Sequence, residues 1–147
     1  MGAIAALLAE REGWEEPAAR DVVRRWLAAE GQLVLVAEHD GRVVGHARAA
    51  RRDLQGTPDA DASGWHLTGV VVAPTARRHG VGRALTDERL RQLAAVTGTV
   101  WCVVNERNRA SVELHLQAGF REVLRGPVLT GVAFSAGSGL LLRRDLA

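Results

Sequence analysis

The chain has 147 residues, about one domain's worth, and 47% of them are hydrophobic, which excludes a disordered polymer and allows a real core. Its net charge is only +2, and its 19 basic residues are all arginine. With aromatics at 4% there is no basic stripe with interleaved aromatic rings, so no nucleic-acid partner is expected; the arginine bias fits a GC-rich coding sequence better than selection for a partner.

Residues 3–12 read as a short helix with Ile4, Leu7 and Leu8 on one face. The stretch Met1 to Leu8 is apolar but short and runs into Glu10-Arg11-Glu12, so it does not read as a signal peptide. No apolar run approaches the roughly 20 residues that span a bilayer, so no membrane partner is expected and the chain reads as cytoplasmic. A second helix starts at Pro17, repeats Val22, Val23, Trp26 and Leu27 at helical spacing, and ends near Gly31. Gln32 to Glu38 and Arg42 to Ala49 then form a hairpin around His39-Asp40-Gly41. Residues 53–64, with Gly56, Pro58 and Gly64, are a loop whose Asp53, Asp59 and Asp61 would favour a cationic acceptor.

Trp65 to Ala73 is a largely apolar strand that stops at Pro74, and a helix runs from Gly82 to Ala95. Thr99 to Val104 is a buried strand, Ala110 to Ala118 a helix closed by Gly119, and Phe120 to Leu124 and Gly139 to Arg143 are the last strands. The order predicts an α/β (α+β) fold, a single domain over residues 1–147. Cys102 is the one cysteine, which excludes an internal disulfide and a multi-cysteine zinc site; no metal is expected, and Cys102 reads as packing. Trp26, Trp65 and Trp101 read as core or cleft walls.

The stretch Val70-Val71-Val72-Ala73-Pro74-Thr75-Ala76-Arg77-Arg78-His79-Gly80-Val81-Gly82-Arg83 carries the chemistry. A buried strand feeds a turn with two glycines, and the turn opens a helix. Unpaired amides and the helix dipole at such a start attract an anion. Gly80 and Gly82 let a phosphate approach the backbone, and Arg77, Arg78 and Arg83 lie beside it. A diphosphate is the natural guest. The chain has no lysine for a Walker loop, and position 85 is leucine where a dinucleotide fingerprint has glycine. A tight turn with surface arginines is the plain alternative.

Arg77-x-x-Gly80-x-Gly82 after Val72-Ala73-Pro74 resembles the signature of the GNAT superfamily of N-acetyltransferases. Asn108, Ser111, Leu114-His115 and Gly119-Phe120 resemble its second motif. The resemblance covers about residues 32–125. It implies a mixed, largely antiparallel central sheet flanked by helices and splayed where the strands 65–73 and 99–104 meet. It implies acetyl-coenzyme A as cosubstrate and direct attack by an amine on the thioester. The backbone at Val70, Val71 and Val72 would take the pantetheine arm, and Arg77, Arg78, His79, Gly80, Val81, Gly82 and Arg83 would cradle the diphosphate. Asn108 would touch the arm, and the amide near Val70 would face the oxyanion.

The family's usual tyrosine acid falls at His115, in a chain without tyrosine; His115 is the candidate acid, or a helix histidine that merely packs. In place of the frequent glutamate base stand His66 and, at the end of the hairpin's first strand, Glu38, with water-mediated proton loss as the alternative. The family's first strand is absent here; either the start is late or this member lacks it, leaving a sheet edge for a partner subunit, so a homodimer is expected. Trp14 falls where the family shapes its acceptor pocket. A small-molecule primary amine is the expected acceptor. A protein amine and a non-catalytic acyl-CoA-binding module are the alternatives.

Overall fold

The computed structural model describes residues 1–146. Helices α1 (Gly2–Glu12) and α2 (Glu16–Ala28) come first. Gly13, at φ 70°, closes α1, and a proline in the first turn of α2 fits the positions that need no amide donor. Strands β1 (Gln32–His39) and β2 (Arg42–Arg52) form the expected hairpin around Asp40 and Gly41, both with positive φ. Then follow β3 (Gly64–Val72), α3 (Val81–Leu93), β4 (Thr99–Asn105), α4 (Arg109–Gln117), β5 (Arg121–Gly126), β6 (Val128–Leu129), β7 (Val132–Ala133) and β8 (Gly139–Asp145).

Six strands are hydrogen-bonded in the order β1-β2-β3-β4-β8-β5, a mixed and mostly antiparallel α/β sheet. Strand β3 runs parallel to β4, with pairs from Trp65↔Val100 to Leu67↔Cys102. Strands β4 and β5 both pair antiparallel with β8, the latter with a shift between Glu122 and Leu124. The small hairpin β6-β7 went unseen in the sequence. Its turn uses Thr130 (φ 52°) and Gly131 (φ 82°), and a threonine in the left-handed region is a weak turn signal. Helix α2 also stops earlier than Gly31, because Ala29 is already extended (ψ 140°).

The chain divides into two compact units, Met1–Ala49 with Gly69–Arg89, and Ala50–Thr68 with the chain from Leu90 onward. In the first, α1 and α2 bury Ile4, Ala5, Leu8, Ala19 and Val23, with Val22, Trp26 and Val34 packed around them. Each large apolar side chain so buried contributes about 1.5–3 kcal/mol, which is what holds two short helices in place. In the second, Leu54, Ala62, Trp101, Leu129 and Leu141 form one core cluster. Arg52 donates to Thr130 Oγ1 at 2.9 Å and to Thr130 O at 2.6 Å, and Thr130 N–H donates to Asp59 Oδ2 at 2.6 Å. The β6-β7 turn is thereby fastened to the 53–64 segment.

Candidate active site

The glycine turn joins β3 to α3. Strand β3 ends at Val72, Pro74–Ala76 makes one 3-10 turn, and α3 begins at Val81. Arg78 (φ 64°) and Gly80 (φ 78°) both lie in the left-handed region, so the chain reverses sharply before the helix. Arg77, Arg78, His79 and Gly80 are exposed, and Ala84 N–H makes the first intrahelical bond, to Gly80 O at 2.9 Å. The amides of Val81, Gly82 and Arg83 precede that first bond, as at any helix start. Arg83 is tied to Asp87 by a 2.9 Å ion pair within α3. Arg77 turns its Nε back to Val72 O at 3.3 Å.

The turn is seated by a residue that sequence patterning passed over. A Cβ on Gly45 would lie 3.1 Å from Val71 O, 3.1 Å from Val81 Cγ1 and 3.3 Å from Leu85 Cδ1. The first turn of α3 therefore rests directly on the β2 backbone. An isolated glycine inside a strand was the available signal. A cavity of about 870 Å³ opens beside the turn, lined among others by Glu38, His39, Asp40, Arg42, His79 and Gly80. It places Glu38 in the same lining as Thr75, Ala76, His79, Gly80 and Val81 of the turn.

Buried histidines occupy three strand and helix positions. His66 is 2% exposed, and its Nε2 stands 2.7 Å from Ala62 O. A carbonyl only accepts, so Nε2 carries the proton and Nδ1 is the basic nitrogen. Burial lowers the His66 pKa, the bond to Ala62 opposes the shift, and Arg52 adds to it. His115 is 4% exposed; its Nδ1 lies 2.7 Å from Ser111 O and its Nε2 lies 3.3 Å from Cys102 Sγ. The same logic makes Nδ1 the donor, so in the neutral ring Nε2 faces the thiol as acceptor. Cys102 thus has a polar partner beyond packing. His46, unremarked in the sequence, is 1% exposed with neither ring nitrogen hydrogen-bonded. Its pKa is pushed down to about 4 by burial first, then by Arg48 and Arg11. Trp26 packs beside it, with ring centroids 6.2 Å apart, and Arg48 stacks on Trp26 at 3.8 Å.

Asn105 and Asn108 share one tight turn. Asn108 N–H donates to Asn105 O at 2.9 Å, Asn105 Oδ1 accepts from Arg107 N–H at 2.9 Å, and Asn108 Oδ1 caps α4 by accepting from Ser111 N–H at 3.2 Å. The amide NH₂ of Asn108 is its remaining donor. Of the loop carboxylates, Asp59 serves Thr130, and Asp53 Oδ1 accepts from Gln55 N–H at 3.0 Å, so two of the three have structural duties. Trp14 is 44% exposed, and Trp101 is core. Among the described residues no cluster of histidine, cysteine or carboxylate side chains could hold a metal, and no helix is long and apolar enough to cross a membrane.

The sequence model of the Acetyltransferase (GNAT) family matches residues 3–120. The chain belongs to this family of acetyltransferases. It is 34% identical over 119 residues to the mycothiol acetyltransferase of Clavibacter michiganensis subsp. michiganensis (strain NCPPB 382), an alignment covering 71% of this chain and 36% of that protein. The chain therefore spans about a third of that relative's length. Among solved structures, the ribosomal-protein-S18-alanine N-acetyltransferase of Escherichia coli superposes with a TM-score of 0.71 at 19% identity, covering 99% of this chain and 88% of the other. The phosphinothricin acetyltransferase of Sinorhizobium meliloti, solved in complex with AcCoA, gives 0.68 at 21% identity over 90% of this chain and 70% of the other. At these identities the two structures share the GNAT fold.

Proposed function

We propose that this chain, acting as one catalytic domain over residues 1–147, transfers the acetyl group of acetyl-coenzyme A to a primary amine of a small molecule. The carrying observation is the strand–turn–helix at Val70 to Arg83: a glycine turn with two left-handed residues, exposed from Arg77 to Gly80, that leads directly into the first turn of α3. Family membership supports acyl transfer from the coenzyme, and the likeness to a mycothiol acetyltransferase supports a small acceptor. The diphosphate sits on the amides of Arg77 to Arg83, the arm lies along Val70 to Val72, and the amide NH₂ of Asn108 touches the arm.

The amine attacks the thioester carbonyl; its proton goes to a base or to water, and the coenzyme leaves as a thiolate that takes a proton. His66, whose Nε2 donates to Ala62 O and leaves Nδ1 as its accepting nitrogen, is the preferred base among the candidates. Glu38 lies at the diphosphate end and is the weaker one. His115 is the acid candidate, acting when doubly protonated. The protein is proposed to be a cytoplasmic homodimer, with no nucleic-acid or membrane partner. Light scattering would then give twice the 15.8 kDa chain mass.

Incubation with acetyl-coenzyme A and separate panels of small amines and peptides, with free thiol as readout, tests the assignment. Thiol release with small amines is expected. Release with peptides alone makes the acceptor a protein amine. Coenzyme binding without release on any amine leaves a non-catalytic binding module.

A further inference from the structure

Ala73 N–H donates to Val44 O at 2.8 Å, so Ala73, and by two-residue alternation Val71, turn their backbone groups toward β2. Val70 and Val72 therefore turn theirs to the opposite edge of β3. Both carbonyls on that edge are held by guanidinium groups. Arg77 Nε donates to Val72 O at 3.3 Å, and Arg11 Nη1 donates to Val70 O at 2.6 Å. The two arginines differ in origin. Arg77 follows β3 directly and belongs to the glycine turn. Arg11 is 59 residues distant and projects from the last turn of α1, a helix anchored by Ile4, Ala5 and Leu8. A cavity of about 270 Å³ adjoins this edge, lined by Leu7, Glu10, Arg11, Val71, Val72 and Arg77 among others.

The arm of coenzyme A carries amide N–H groups. Laid along Val70 to Val72 as a further strand, it needs the Val70 carbonyl that Arg11 holds. Arg11 is exposed, so its guanidinium can exchange this bond for water at small cost. We propose that Arg11 is a latch: it closes the β3 edge and ties α1 to it, and the coenzyme arm takes Val70 O and frees the last turn of α1. The latch rests on the assignment of Val70 to Val72 as the seat of the arm.

Calorimetry on the whole chain with two probes tests this: acetyl-coenzyme A, and 3′-phospho-ADP, which has the diphosphate end and lacks the arm. Arg11→Met should tighten acetyl-coenzyme A about three- to tenfold, the worth of one exposed charge-assisted bond, and leave 3′-phospho-ADP unchanged. Unchanged or weaker acetyl-coenzyme A binding overturns the latch. Weaker binding of both probes makes Arg11 a phosphate contact, which also overturns it. If the wild-type protein binds neither probe, the coenzyme assignment itself falls, a result distinct from loss of the latch alone. Hydrogen exchange on the wild-type protein gives a second measurement. Acetyl-coenzyme A should speed exchange in the last turn of α1 where 3′-phospho-ADP does not, and equal exchange with both overturns the latch.

Discussion

Arg89 is fully buried on α3, and it is held by backbone as well as side-chain oxygens. It donates to Arg48 O at 2.8 Å, to Leu85 O at 3.3 Å and to Thr86 Oγ1 at 3.0 Å. Arg89→Met keeps much of the volume and leaves those acceptors without their donor, so it should cost about 2–4 kcal/mol, read as a fall in the urea midpoint. Gly82 tests chemistry at the same scale. Gly82→Trp should abolish coenzyme affinity in calorimetry while circular dichroism stays native, because the side chain would stand on the amides proposed to meet the diphosphate. Intact affinity in that variant contradicts the placement. His115→Ala should lower turnover more than coenzyme binding. A turnover equal to wild type means the thiolate leaves without its help, as the bonds of both ring nitrogens to Ser111 and Cys102 would allow.

At the scale of elements, the seat of α3 on β2 couples the fold to the site. A side chain at Gly45 would crowd Val71 O, Val81 and Leu85 between β2 and the first turn of α3. Gly45→Val should push Val81 and Leu85 away, cost about 1–3 kcal/mol by overpacking, and weaken the coenzyme more than a surface mutation of equal stability cost. Binding titrations at matched stability check this, and an unchanged affinity would show that the turn tolerates the shift. The period changes in the sequence placed nearly every helix and strand within a few residues, since burial on one face leaves a regular trace. The β6-β7 hairpin left none. It is two residues per strand, and its fastening to Asp59 and Arg52 involves positions 71 and 78 residues apart.

For the molecule as a whole, buried histidines should lower stability in acid. His46 has a pKa of about 4 in the fold against an ordinary 6.5, and His66 shifts in the same direction. The unfolded chain takes protons that the fold refuses. Stability is therefore full above pH 6.5 and falls as the pH drops toward 4, by about 3 kcal/mol for His46 alone. His46→Phe, which removes the two nitrogens without partners, should flatten that part of the stability–pH curve. An equally steep curve in the variant would place the titration elsewhere.

What the amino-acid order by itself determined is the class of fold and the glycine turn that opens a helix, because hydrophobic period, two glycines and a helix start are local properties. The family followed from two motifs in the right order. The tertiary structure alone decided which polar groups are already committed. Asp59 fastens a hairpin, Asn108 caps a helix, His115 faces a thiol, and Arg11 holds a carbonyl on β3. Each of the Asp59 and Arg11 bonds joins residues dozens of positions apart, and a hydrogen bond depends on distance in space, which no local pattern of residue types encodes.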